Sequence, residues 1–234
     1  MKIQRSLLPI EDRWILSRLS RTVSSVTSLM EDFQFGEAQR QIHDFLWGEF
    51  CDWYIEIAKL RLRSGKDVVS PVPVLVYVLE TSLRLMHPYM PFITEELWQN
   101  LKGHLPSDWQ VAESIMVATY PEADGTAIDP PAERIMASVI EIIHSIRNAR
   151  AQHKVESARW IEAQIYAGEL RAAITPYSQA IQTLAKARPV TFHDIRQGIS
   201  QGIPSEENDL LLVLPEALIV RIPMESMINL EAER

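Results

Sequence analysis

The chain has 234 residues, 47% of them hydrophobic and 23% charged, with a formal net charge of −8 and a single cysteine, Cys51. That length buries a sizeable core in one or two domains, and one cysteine excludes an intrachain disulfide or a multi-cysteine zinc site, so Cys51 is expected as a buried structural thiol. The acidic balance excludes wholesale wrapping of nucleic acid, no stretch approaches a membrane span, and MKIQRSLLPIEDRW carries no signal-peptide core; the expectation is a soluble, cytoplasmic protein whose RNA contacts, if any, come from a local basic face.

From residue 11 to 33, Ile15, Leu19, Val23, Val26, Met30 and Phe33 recur at three- and four-residue steps, which places them on one side of an α-helix. From residue 35 to about 63, Ala38, Ile42, Phe45, Leu46, Phe50, Trp53, Ile57 and Leu60 do the same, after a tight turn at residues 34–36. RSGKDVVSPVP then supplies loop chemistry: Gly65 ends a helix, Ser70 caps the next, and Pro71 suits its first turn. Leu75, Val78, Leu79, Leu83 and Met86 form a third stripe. In LRLMHPYMPFITEELWQNL, Pro88 stops that helix and Pro91 starts a fourth, ended near Gly103; such a corner lets the fourth helix fold back in an antiparallel bundle.

Residues 106–130 read as a linker with a short extended piece around Ile115 and Tyr120, and helix returns from 131 to about 152 with Ile135, Val139, Ile142, Ile143 and Ile146 inward. After Ser157 the period changes. WIEAQIYAG and PVTFHD read as strands around a helical stretch at 169–184, and DLLLVLP with ALIVRIP reads as a hairpin turning at Pro215 and Glu216. The expected fold class is mainly α, an antiparallel helix bundle followed by a small α+β module. Its expected domains are the bundle (1–105), the linker (106–130), a long helix completing the bundle (131–156), the module (157–224) and the start of a charged helical arm (225–234).

The catalytic inventory is thin: no glycine-rich phosphate loop, no metal-spaced histidine pair, and no nucleophile motif. Glu95 and Glu96 are helix neighbours that point apart, so they read as first-turn carboxylates and not as an acid/base pair. The six histidines form no ligand cluster by spacing. The basic residues are more informative. Trp14, Arg18 and Arg21 fall at i, i+4 and i+7 beside an apolar row, interleaving an aromatic face with guanidinium groups as unpaired RNA bases and phosphates require; the alternative is a core tryptophan with paired arginines. Arg147, Arg150 and Lys154, with Arg159 beyond, make a second positive strip, or a solvated face. Lys59, Arg61, Arg63 and Lys66 form a weaker phosphate candidate, part of which complements a helix's negative end.

EDRWILSRL, FLWGEFCDWYIEIAKLRL, LRLMHPYMPFITEELWQNL and IRNARAQHKVESAR, in that order, resemble successive blocks of the helical anticodon-binding domain of class I aminoacyl-tRNA synthetases, and EFCDWYIE most resembles the valyl type. INLEAER resembles the lead-in to that family's C-terminal coiled-coil arm. The HIGH-type histidine motif, the KMSKS-type lysine loop and the editing insertion of a complete enzyme have no counterpart in the sequence. The resemblance therefore implies a C-terminal portion, excised or from a split gene, that binds valine tRNA and the remainder of a synthetase as a monomer. It implies no metal, cofactor or catalysis of its own; ATP and magnesium would belong to the parent valine–tRNA ligase. An isoleucyl- or leucyl-type module, or a helical scaffold for a protein partner, are the alternatives.

Overall fold

The computed structural model describes residues 7–65, 69–106, 109, 111–194 and 209–227. The chain divides into two compact units, Met1–Glu133 and Arg134–Arg234, and the division falls in the first turn of a helix.

The first unit is helical, as expected. Helix α1 (Ile10–Glu31) contributes Ile15, Leu19, Val23 and Val26 to the core, but it also buries Trp14, Leu16, Ser17 and Ser20. So much of its circumference is covered because α2 (Phe35–Phe45), α4 (Val72–Met86) and a short turn at Gly125–Ala127 all pack against it. The long second helix is not α throughout: Leu46–Tyr54 winds as a π-helix, with the Ile55 N–H reaching Phe50 O, before α3 (Ile55–Ser64) resumes. The wider turn accommodates two consecutive inward side chains, Trp53 and Tyr54. Gly65 closes α3 in the left-handed conformation (φ 60°), a region open to glycine at no steric cost.

The proline corner is built as the sequence implies. Helix α4 ends at Met86, the N–H groups of Tyr89 and Met90 bond back to Met86 O at 3.0 and 3.1 Å, and Pro91 opens α5 (Pro91–His104). His87 Nδ1 and Thr94 Oγ1, 2.7 Å apart, tie the two helices across it. One element differs from expectation: around Ile115 the chain forms a 3₁₀ turn (Ile115–Val117), not an extended piece, because Ser114 Oγ accepts from Met116 N at 3.2 Å and the Glu95 carboxylate from Ile115 N at 3.1 Å.

Helix α6 (Pro130–Gln152) begins where Asp129 Oδ1 accepts from Ala132 N at 3.0 Å, with Pro130 and Pro131 in its first turn. In the second unit its residues Met136, Val139, Ile142, Ile143, Ile146 and Ala149 are buried. The sheet beside it has the order β2-β1-β4-β3, from β1 (Ile161–Tyr166), β2 (Ala187–His193), β3 (Asp209–Val213) and β4 (Ile219–Pro223). Strands β1 and β2 are parallel and joined through α7 (Arg171–Ile174) and α8 (Ser178–Ala185). Strands β3 and β4 form the antiparallel hairpin, closed by Leu214 N–H to Leu218 O at 2.9 Å. Among the described residues no helix is long and apolar enough to cross a membrane.

Candidate nucleic-acid interface

The α1 row that the spacing offered as an open edge is buried at Trp14 and ion-paired at its arginines. Trp14 is 4% exposed, so its indole has no face free for a base. Arg18 makes a two-pronged bond to Glu49 (Nε–Oε2 2.7 Å, Nη2–Oε1 2.8 Å), and Glu49's hydrogen bond raises the guanidinium's pKa further. Arg21 Nε lies 2.7 Å from Glu133 Oε1, a carboxylate that Ser17 Oγ also engages. Arg13 Nη1 pairs with Asp129 Oδ2 at 2.9 Å. Of the two readings the spacing left open, the structure has the core tryptophan with paired arginines: Trp14 is out of reach of a base, while Arg13, Arg18 and Arg21 stay partly exposed and each holds a carboxylate of the same unit.

The cluster at the end of α3 also turns inward. Arg61 Nη1 lies 2.5 Å from Oδ1 of Asp12, which has no exposed side-chain surface, and 3.3 Å from Glu11 Oε1; Arg61 Nη2 reaches Val69 O at 2.8 Å. Tyr54 Oη donates to the same Asp12 oxygen at 2.7 Å, and proximity to this carboxylate joins burial in pushing the tyrosine's pKa upward. Arg61 is therefore a structural ion-pair partner and not a phosphate ligand. Lys59 pairs with Glu56 at 2.5 Å, Arg63 is exposed, and Lys66 lies outside the described residues. Cys51 is half-buried, and burial pushes its thiol up, opposite to what a nucleophile needs.

Open aromatic surface in this unit lies elsewhere. Phe33, expected at the inward end of the α1 stripe, is 80% exposed, because α1 stops at Glu31 and the helical phase is lost beyond it. Its N–H bonds to Met30 O (3.1 Å) and that of Gln34 to Leu29 O (2.8 Å), the paired closure in which the left-handed residue is ordinarily glycine. Here that residue is Phe33, at φ 59°, while Gly36 sits inside α2. Phe33 stands edge-on to Phe35 at 6.0 Å between ring centroids, and Trp47, on the π-helix, is exposed beside His43 at 5.9 Å. A left-handed backbone is costly for a phenylalanine, and this ring gains no burial from it.

The second cationic strip divides. Arg150 is 7% exposed and holds two carbonyls, Lys186 O by Nη1 (3.1 Å) and Glu156 O by Nη2 (2.9 Å), so it is a buried clamp and not a surface cation, a correction. Its burial lowers the guanidinium's pKa from the ordinary value. Arg147 is exposed, with Nε on Leu184 O at 2.8 Å; Lys154 is exposed with φ 52°; Arg159 is half-buried, with Nη2 3.5 Å from Glu225 O. The two arginine clamps hold the C-terminal end of α8 against α6. There the fold brings together residues that no spacing rule connects: Lys186 Nζ lies 5.0 Å and Arg188 Cζ 5.6 Å from the ring centroid of Trp160.

The first unit thus carries exposed rings on a helical frame, and the second holds two cations beside an indole. Residues 12–165 match the model of the anticodon-binding domain of tRNA ligase, and the chain belongs to that family. Among its relatives, the chain is 53% identical over 226 residues to the valine–tRNA ligase of Dehalococcoides mccartyi (strain CBDB1), an alignment covering 97% of this chain and 25% of that protein. It is 45% identical over 159 residues to the valine–tRNA ligase of Pseudothermotoga lettingae, covering 68% of this chain and 18% of the relative. To the valine–tRNA ligase of Bacillus cereus (strain ATCC 10987 / NRS 248) it is 35% identical over 229 residues, covering 96% and 24%. The chain thus spans about a quarter of the length of the curated relatives it matches.

Proposed function

We propose that this chain binds and positions the anticodon stem-loop of valine tRNA for a valine–tRNA ligase, as a monomer, and makes or breaks no bond itself. The observation that carries the reading is the family match, which spans the helical unit from the start of α1 into the second unit. In that role unpaired anticodon bases rest on exposed rings of the first unit, Phe33 and Phe35 first among them, and not on Trp14. Stacking on such rings tolerates geometry but demands that the bases be unpaired, which an anticodon loop provides.

A gel-shift titration with valine tRNA, an anticodon-altered valine tRNA and isoleucine tRNA, at low and moderate salt, tests this. Valine tRNA is expected to bind roughly tenfold tighter than either competitor, from about 1–3 kcal/mol per mismatched base contact. Equal binding of all three removes anticodon reading, and no binding even at low salt removes the RNA reading altogether.

Phe33 supplies a sharper test because its two effects have opposite signs. Phe33→Gly relieves the left-handed backbone, so the folded state should gain up to about 1 kcal/mol after the entropy glycine loses. The same substitution should weaken valine tRNA binding by about 1–3 kcal/mol through the lost stacking surface. Urea denaturation beside the gel shift checks both; a variant more stable but equally tight would remove Phe33 from the interface.

A further inference from the structure

We infer that Trp160, Lys186 and Arg188 form a platform for an unpaired nucleotide of RNA, the base lying on the indole and the adjoining phosphates on the two cations. The inference rests on the reading of the chain as an RNA-holding module and adds a second site to it, in the second unit, which neither the family match nor the relatives' names assign.

Trp160 lies just before β1 and is 41% exposed, although an indole gains more from burial than any other side chain on that segment. Two cations flank the ring, at 5.0 and 5.6 Å from its centroid, a geometry that favours positive charge over the negative face of the π system. Both are exposed, and among the described residues neither forms an ion pair, in contrast to Arg18, Arg21 and Arg61 of the first unit, each of which has a carboxylate within 4.0 Å. In a chain of net charge −8, a pair of cations left without carboxylates keeps its positive potential for an outside anion.

The platform is held in place. Lys186 closes α8 in the left-handed conformation (φ 54°), and its carbonyl accepts from Arg150 Nη1 (3.1 Å) and from Ile161 N (3.3 Å), the residue after Trp160. Arg147 fixes Leu184 O two residues earlier. Parallel pairing of Ile161 with Ala187 then sets Trp160 beside Lys186 and Arg188. A buried arginine thus positions the backbone of one platform cation and does not itself meet the ligand.

The pairing of open indole with free cations selects the ligand. An acidic peptide offers only charge, and duplex RNA only phosphates, whereas a single-stranded nucleotide offers a π face and a phosphate a few ångströms apart. Each cation–phosphate contact adds counterion release, so affinity must fall with salt.

The test uses the full chain and a labelled oligouridylate of about 12 nucleotides, within the span of known single-strand sites. Anisotropy titrations are run over a salt series. Trp160→Ala is expected to weaken binding roughly 5- to 100-fold, while Trp160→Phe, which keeps a ring, stays within a few-fold of the parent; loss in the first with retention in the second separates stacking from misfolding. Lys186→Gln with Arg188→Gln should reduce the slope of log affinity against log salt by about 1.4, about 0.7 for each phosphate contact on a single strand. Unchanged affinity in Trp160→Ala, or competition by polyglutamate as effective as by RNA, overturns the platform. The oligouridylate has no anticodon stem-loop, so the two readings fail separately. Platform effects without discrimination among tRNAs leave this site standing and remove the anticodon reading, whereas discrimination among tRNAs together with unchanged oligouridylate affinity in Trp160→Ala does the reverse.

Discussion

Replacing Arg61 with alanine should lower the stability of the first unit by about 3–5 kcal/mol, the range found when one partner of a buried ion pair is removed and the other stays behind. The partner is Asp12, fully buried, whose Oδ1 takes hydrogen bonds from Arg61 and Tyr54 while Oδ2 has no hydrogen-bond partner. Burial pushes the Asp12 carboxyl above its ordinary pKa, against the downward pull of Tyr54 and of Arg61. A carboxyl raised in the folded state favours folding below its unfolded pKa, and that contribution is lost as pH rises through the folded value. Without Arg61 the folded value climbs further, so the variant's deficit should be widest at neutral pH and narrow in mild acid as Asp12 takes a proton. Urea denaturation of both proteins at the two pH values measures this, and Asp12→Asn added to Arg61→Ala should restore part of the loss at neutral pH. A deficit independent of pH would mean that lost packing, not the stranded carboxylate, dominates.

Trp98→Ala is expected to cost a comparable amount, about 3–5 kcal/mol for a buried tryptophan truncated to a methyl. Its ring packs in one buried cluster with Leu83 and Ile115, and its Nε1 donates to Ala112 O at 3.1 Å. The effect should spread along residues 111–119, because that segment is held to α4 and α5 by side chains: Glu95 by Ser114 Oγ (2.7 Å), Gln99 and Lys102 on Glu113 O (2.7 and 3.2 Å), and Arg84 on Thr119 O (2.8 Å). Hydrogen exchange should therefore accelerate there before it does in α1. Trp98→Phe keeps most of the core and orphans one carbonyl, so about 1–3 kcal/mol is expected. Equal exchange rates in Trp98→Ala and the parent would show that the segment is held by its polar bonds alone.

Much of the fold was legible because its signals are local. Apolar residues at three- and four-residue steps marked α1, α2 and α4, Pro88 and Pro91 marked the corner, and alternation around Pro215 marked the hairpin, since each of these depends on a few neighbouring side chains and dihedrals. The π-helical winding at Leu46–Tyr54 had no such signal, and neither did the left-handed closure of α1 at Phe33, which the period placed on the inward stripe. A turn's strain is settled by what the surrounding packing tolerates, which composition does not report.

The site was the harder part, for a related reason. Periodicity tells which row of α1 is apolar but not how many neighbours the helix has, so Trp14 and its arginines were legible as a row, while an open edge and a core tryptophan with paired arginines stayed equally compatible with the spacing. Glu49 and Glu133 lie 31 and 112 residues from the arginines they neutralise. Trp160 meets Lys186 and Arg188 only because two parallel strands pair across a helical crossover. What the sequence by itself determined was where helices and strands run and which side of each is oily, because those are short-range properties of the chain. Which charges remain free to meet an outside anion was decided by tertiary structure alone, since a cation's availability depends on the carboxylates that folding carries to it from far along the chain.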